Sequence, residues 1–390
     1  MATTVTITNK GLRRTRTGHP WVFDNDLRAN ESTPTVPSIV TLLDLQNNLT
    51  GQGLYNPTSK IALRLLTKDE TPITPDFFAQ RTKAAVAYRE DVVKGYEAFR
   101  VIHSESDGIP GLTVDKYGDY LVLQQHSAAL EPFMGAILEV LQNHYQPKGI
   151  LARNDSSVRE LEGLPREVKV IVGSVPEEIP FKEGDMTLFA APYTGQKTGA
   201  FLDQRENHVE AGRIAFGHCL DVFSYHGGFA LQLAKHAEIV IAVDSSKPAL
   251  VHIEKAAKVN GLTNVSLLQG DAFSLLRDFV KKGERFDTIV LDPPAFAKGR
   301  DQAEKAVSGY KEINLQALKL LHVGGRLVTA SCSYHVSEAT FYAMLQEAAA
   351  DAERQVRVLE WRGQASCHPE RLAMPETRYL KLAVLEVIDV

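Results

Sequence analysis

Cysteine is scarce in this chain: Cys219, Cys332 and Cys367 are the only three in 390 residues. They are too few and too scattered for a disulfide framework or a zinc site, so no metal is expected. Thiols used this sparingly suit a reducing compartment, the cytoplasm. No run of 18 apolar residues occurs, so nothing is expected to span a membrane. The opening MATTVTITNKGLRRTRTGHPWVF lacks the apolar stretch of a secretory signal. An excess of positive charge is missing too, with 43 Lys+Arg against 48 Asp+Glu and a formal net charge of −5. That balance excludes a wholly basic nucleic-acid binder but leaves room for a local basic patch.

What is present is a globular composition, 44% hydrophobic and 23% charged, in a chain long enough for two or three domains. Residues 1–72 read as short strands and turns. VTITN, IVTLLDL from Ile39 and KIALRLLT from Lys60 are the strands, with NNLTGQG and YNPTS as turns between them. A small β-rich domain follows from that pattern. Its Lys10, Arg13, Arg14 and Arg16 precede the first acid, Asp24, and form either a solvated arm or a phosphate-binding patch. Residues 73–189 are of mixed α/β type. Pro75 and Asp76 open a helix carrying Phe77, Phe78, Ala84 and Tyr88 at helical spacings, and HSESDGIPGLTVDKYGDYLVLQQ reads as turn, strand, hairpin turn and strand. Glu105 and Asp107, beside Gly108 and Pro110, are expected to shape the turn rather than to catalyse.

Residues 190–390 alternate apolar strands with helical stretches, the rhythm of a doubly wound, Rossmann-like α/β sheet with its site at the strand C-termini. The last strand, past Arg378, is expected to run antiparallel at the edge. In LDVFSYHGGFALQLA, Gly227 and Gly228 allow a sharp turn and close approach to a ligand. The spacing is not G-x-G-x-x-G, which speaks against a nicotinamide-dependent dehydrogenase. Asp221 lies in the first strand. Asp244, 23 residues on, ends the next and can accept from a ribose diol. Asp271, in QGDAF, can accept from an adenine amine, with Phe273 nearby. An acid at such a place also caps helices, but three in succession with a glycine turn point to a nucleoside-containing cofactor.

IVLDPPAF then delivers Asp292 at a strand end, followed by Pro293 and Pro294, which stiffen the backbone, and Phe296, which offers a surface for a planar base. About 40 residues later, RLVTASCSYHVS delivers Cys332. An isolated cysteine is usually a small buried hydrophobe; Ser331, Ser333, Tyr334 and His335 around this one argue for a loop site.

Taken together, GLRRTRTGHPWVF, ESDGIPGLTVDKYGDYLVLQ, TGQKTGAFLDQREN, DVFSYHGGFAL, DPPAF and SCS resemble the class I S-adenosylmethionine-dependent RNA methyltransferases. The likeness is in particular to the bacterial 23S rRNA (cytosine-5) methyltransferase family of the RlmI type, over nearly the whole chain. The resemblance implies a PUA-like RNA-binding domain, a linking α/β domain and a methyltransferase domain. It also implies S-adenosyl-L-methionine as donor and 23S rRNA as partner, and it is compatible with a homodimer. By position, it makes Cys332 the nucleophile and Asp292 the acid beside the target base. It assigns Asp221, Phe223, Tyr225, Gly227, Asp244, Asp271 and Ala272 to the cofactor, with Asp292 at its edge and Lys197, Asp203 and Arg205 near its methionine end. Pro293, Pro294, Phe296, Arg13, Arg14 and Arg16 fall to RNA. His208 stands where relatives often carry arginine or lysine, which puts a phosphate contact there in doubt.

The thiol suits the chemistry. Cytosine C5 is a poor nucleophile until a thiolate adds at C6. DPPAF holds no cysteine, so Cys332 must attack and leave without a partner thiol. Guanine-N7 methylation is the nearest alternative and gives Cys332 no task. A non-catalytic RNA-binding or assembly protein would have no use for the glycine turn and its acids.

Overall fold

The computed structural model describes residues 3–28, 31–296 and 303–389. They form two compact units, Met1–Ile179 with Ala190–Ala200 and Ser366–Thr377, and Pro180–Phe189 with Phe201–Ala365 and Arg378–Val390. The first unit carries two sheets.

In the first unit, a six-stranded sheet runs in the order Trp21–Val22, Leu63–Thr67, Leu49–Tyr55, Ser38–Leu43, Thr4–Ile7 and Leu27–Arg28. Val5, Ile7, Val40, Leu42 and Leu63 form its core. NNLTGQG is mostly not a turn. Leu49–Tyr55 is a strand, and only Asp44–Asn48 bends, with the Asp44 carboxylate accepting from the Gln46 and Asn48 N–H groups at 2.8 Å each. The glycines that suggest a turn serve close strand approach instead: a Cβ on Gly53 would stand 2.3 Å from the Arg64 carbonyl. The basic stretch is a helix, Asn9–Arg16, capped by Thr8.

A five-stranded sheet follows in the same unit, Glu167–Gly173, Gly149–Asn154, Tyr120–Gln125, Leu112–Tyr117 and Ala98–His103, covered by helices Pro75–Val92 and Met134–Tyr145. The first helix buries Phe78, Thr82, Ala85, Val86 and Arg89, a face rotated from the one expected, so that Ala84 and Tyr88 are exposed. Arg89 pairs with Asp107 at 2.5 Å, and Glu105 accepts from the Trp21 indole at 2.9 Å. Both acids are structural here. Asp115 binds Arg100 through both oxygens, at 2.8 and 2.9 Å, and accepts from Thr198 at 2.5 Å. That carboxylate ties VDKYGDY to the TGQKTGA segment.

The second unit opens with a hairpin, Ile179–Glu183 and Met186–Ala190, and helix α1, Arg205–Ile214. Its sheet alternates β1 His218–Val222, α2 Gly228–Leu233, β2 Ile239–Asp244, α3 Lys247–Val259, β3 Val265–Gln269, α4 Ala272–Lys282, β4 Phe286–Leu291, α5 Ala303–Leu320, β5 Leu321–Ser331, α6 Glu338–Asp351, β6 Gln355–Arg362 and β7 Lys381–Ile388. The spatial order is β3-β2-β1-β4-β5-β7-β6, with β7 antiparallel to both neighbours. The final strand is antiparallel, as expected, but lies inside the sheet. Its apolar run LAVLEV needs cover from both sides, and β6, whose VRVLEW the sequence reading passed over, takes the edge. Central strands are buried on both faces, with Cys219, Leu220, Ile289 and Val290 all at 0% exposure, which explains their unbroken apolar character. Strand order reverses between β1 and β4, the switch point at which open α/β sheets hold ligands.

Candidate active site

Asp221 lies one residue before the end of β1 at 0% exposure. Burial pushes its carboxyl up to about 7, and the Asp292 charge adds to the rise. Neither of its oxygens closes a hydrogen bond, because the Ser224 hydroxyl donates to the main-chain oxygens of Asp221 and Val243, at 2.8 and 3.2 Å. After β1 the chain turns steeply, with φ of 69° at Phe223, 46° at Tyr225 and 86° at Gly227. Two non-glycine residues in the left-handed region within one loop are strained. The next acid over-determines that conformation: Asp244, the last residue of β2, accepts from the Tyr225 N–H at 2.9 Å and the Ser246 N–H at 2.8 Å. Glycine loop and strand-end acid are therefore one rigid piece.

Gly228 is required for a different reason. A Cβ there would stand 2.3 Å from the His208 ring. His208 is 7% exposed, and its Nδ1 meets Glu183 at 2.7 Å. Desolvation opposes its charge, but Glu183, Asp292 and Asp221 together raise its pKa. His208 and Glu183 thus form a buried imidazole–carboxylate pair behind the loop.

Asp271 caps α4, accepting from the Ser274 N–H at 2.9 Å, and this hydrogen bonding lowers its pKa. It is exposed, whereas its neighbour Ala272 is buried. Asp292 follows β4 directly, and its N–H contacts the Val222 carbonyl of β1 at 3.4 Å. Its Oδ1 accepts from the Gln204 amide at 2.9 Å; Asn207 donates to Gln204 at 2.6 Å, and Arg362 donates to Asn207 at 2.8 Å. Pro293 is buried, Pro294 exposed and Phe296 half-buried. Phe296 packs against Tyr310, Phe273 and Phe223, with ring centroids 4.7, 5.8 and 6.4 Å away. Much of that ring is thus engaged by protein.

Cys332 is half-buried, one residue past β5, while Cys219 and Cys367 are buried. Its flanks are braced: the Ser333 hydroxyl bonds the Tyr310 hydroxyl at 2.9 Å, and Lys381 Nζ donates to the Ser333 carbonyl at 2.7 Å. In the lead-in segment, Asp203 accepts from the Tyr379 hydroxyl at 2.8 Å and Arg205, fully buried, pairs with Glu206 at 3.1 Å. Lys197 belongs to the first unit, in a left-handed turn with φ of 52°. Arg13 and Arg16 are exposed on the Asn9–Arg16 helix, whereas Arg14 pairs with Asp26 at 2.8 Å.

The second unit therefore brings together Asp221, the Phe223–Gly227 turn, Asp244 and Asp292 at neighbouring strand ends, with Cys332 at the end of the next strand. Gln204, Asn207, Glu183 and Lys381 are the members sequence reading missed. Only LDQREN, in which Asp203 and Arg205 were already marked, carried a signal for the first two. Among the described residues no cluster could hold a metal ion and no helix is long and apolar enough to cross a membrane.

Comparison with known proteins identifies two domain families in the chain. Residues 5–68 match the PUA-like domain family and residues 217–369 a methyltransferase domain family. A methyltransferase solved with S-adenosylhomocysteine superposes with a TM-score of 0.85 over 99% of this chain and all of its own, at 18% identity. A second structure, an S-adenosylmethionine-dependent methyltransferase from Streptococcus mutans, gives 0.82 over the same shares, also at 18% identity. These show the fold. The ribosomal RNA large subunit methyltransferase I of Vibrio cholerae is 37% identical over 382 residues, 96% of each chain, and that of Photobacterium profundum 38% over 381 residues, 95% of each. The chain belongs to the ribosomal RNA large subunit methyltransferase I family, and it is a methyltransferase.

Proposed function

We propose that this enzyme methylates C5 of a cytosine in 23S rRNA, using S-adenosyl-L-methionine and a covalent bond between Cys332 and C6 of the base. The observation that carries the reading is a thiol at the end of β5, half-buried and so reachable, in the same row of strand ends as Asp292. The strand-end residues fit the donor. Asp221 is a buried carboxylate with neither oxygen bonded, suited to an ammonium group, and Asp244 is oriented by two N–H groups as a diol acceptor requires. The resemblance assigns Asp271 and Ala272 to the adenine and Asp203 and Arg205 to the methionine end, while Phe223, Tyr225 and Gly227 shape the turn. When bound, S-adenosylmethionine supplies an electrophilic methyl group on sulfur.

The residues of the chain do the rest. The Cys332 thiolate forms the Sγ–C6 bond, breaking the C5=C6 π bond and making C5 enamine-like and nucleophilic. Asp292, its carboxyl plane fixed by Gln204 at Oδ1, acts in its protonated form and donates toward N3, where the negative charge of the adduct is displaced. Once C5 carries the methyl group, a base (water or the Asp292 carboxylate) takes its proton, the C–H electron pair re-forms the C5=C6 double bond, and the Sγ–C6 pair leaves with sulfur to regenerate the thiolate. Guanine N7 is already nucleophilic and would leave Cys332 idle. Pro293, Pro294 and Phe296 border the base, which must be unstacked from any helix to reach the site.

Arg13 and Arg16 present positive charge from the Asn9–Arg16 helix and position phosphates rather than read bases; Arg14, paired with Asp26, supports the helix. The functional modules are residues 1–72 for RNA, 73–189 as the linking domain and 190–390 for methyl transfer. The enzyme acts in the cytoplasm. The decisive experiment is nucleoside mass spectrometry of protein-free 23S rRNA treated with the purified protein and labelled donor. It is expected to give 5-methylcytidine at one position; labelled N7-methylguanosine alone would overturn the reading.

A further inference from the structure

The strand that completes the sheet places a buried cation behind the nucleophile. Lys381 opens β7 and pairs in register with Ser331, the residue before Cys332. It is 4% exposed, yet its Nζ bonds only to carbonyl oxygens, those of Ser333 at 2.7 Å and Tyr379 at 2.9 Å. A buried ammonium held by two neutral acceptors, with one N–H to spare and no carboxylate in ion-pair distance among the described residues, is costly. A charge kept at such cost calls for an anion to face.

The groups around the Cys332 loop identify that anion. Tyr310, from α5, is bonded to Ser333, and burial raises its pKa, so it stays a neutral phenol. Glu338, at the start of α6, is engaged by Arg378 at 2.8 Å. Tyr334 and His335, on the loop itself, are exposed. Cys332 is what remains. We propose that Lys381 is a positioning residue that holds Cys332 as a thiolate, its ammonium fixed across the strand pair while its two carbonyl bonds set the curvature of the Ser331–Ser333 turn.

Burial draws the Lys381 pKa down to about 8, with Cys332 and then Glu338 acting to keep the proton on. Cys219 supplies an internal contrast, a thiol whose burial pushes it up to about 11.

The inference rests on Cys332 being the nucleophile, and the test separates the two. Alkylation of the full-length protein by iodoacetamide, followed by mass spectrometry of the Cys332 peptide between about pH 6 and 10, reads the thiolate without reference to methylation; the other two cysteines are buried. The native profile is expected to have its midpoint below the ordinary thiol value of about 8.5. Lys381→Gln keeps a carbonyl-directed donor but removes the charge, and is expected to raise that midpoint by about one unit, slowing alkylation at neutral pH about tenfold. Lys381→Arg restores part of the loss. Superposable profiles for native and Lys381→Gln protein would overturn the proposal. So would a native midpoint at or above that of a free thiol, a readout that survives even if the variants fail to fold. Full methyl transfer by Cys332→Ala would instead sink the nucleophile reading and leave the alkylation result standing.

Discussion

The Gln204 side-chain amide donates to Oδ1 of Asp292 at 2.9 Å, joining the start of the methyltransferase domain to the loop after its fourth strand. Behind Gln204 stand Asn207 and then Arg362, each 2.6–2.8 Å from the next. The relay fixes the plane of the Asp292 carboxyl. Gln204→Leu is expected to lower kcat by about tenfold to a hundredfold, the usual cost of small misplacement at a reacting centre. Affinity for S-adenosylhomocysteine, measured by calorimetry, should change little. An unaltered kcat would show that Asp292 needs no brace.

Under the proposed role of Asp221 beside the donor's ammonium group, cofactor affinity is expected to depend on pH. With its carboxyl pushed up to about 7, the group is largely protonated at pH 6 and ionised at pH 8, and only the ionised form pairs with an ammonium. The apparent Kd for S-adenosylhomocysteine should fall about tenfold between those values, and Asp221→Asn should flatten the profile. The sign for stability is opposite. A carboxyl whose folded pKa lies above its unfolded value contributes fully below the unfolded value of 3.8, and that contribution is lost as pH rises through about 7. The ligand-free Asn variant should therefore match the native protein near pH 4 and exceed its Tm at pH 8. A variant less stable at pH 8 would contradict this account.

RNA affinity should depend on Arg13 and Arg16 more than on Arg14. The double change Arg13→Glu with Arg16→Glu is expected to weaken binding of any RNA sequence. It should also reduce the slope of log affinity against log salt by about one unit per lost phosphate contact. Filter binding across a salt series measures both. An unchanged slope would leave the helix a solvated surface.

Stability of the first unit should depend on Glu162. This side chain, 3% exposed, takes bonds from Arg64 at 2.7 Å, Asn56 at 2.9 Å and the Ser59 hydroxyl. Glu162→Ala strands a buried guanidinium and should cost about 3 kcal/mol, visible as a lowered midpoint in urea. A loss below about 1 kcal/mol would mean that Arg64 finds another partner.

Much of the site was legible because strand-end positions announce themselves. Asp244, Asp292 and Cys332 each follow an apolar run, and the run fixes where the side chain emerges. Direction along the sheet was harder to read: β7 was recognised as a strand, but its place inside the sheet depends on β6, whose charged alternation is weak. Turn chemistry misled at NNLTGQG, where glycine serves strand packing. The Asn9–Arg16 helix escaped notice because it has no apolar stripe.

Residue order alone established which chemistry was available: a thiol among polar neighbours, acids at successive strand ends, and a glycine turn. Those are properties of residue type and local period, and local interactions suffice to set them. The tertiary structure decided who supports whom. Gln204 reaches Asp292 across 88 residues, His208 fills the space Gly228 leaves, and Lys381 stands across the strand pair from Ser331. Such pairings arise from sheet order and helix packing, which bring distant segments together at close range and leave no periodic trace in the chain.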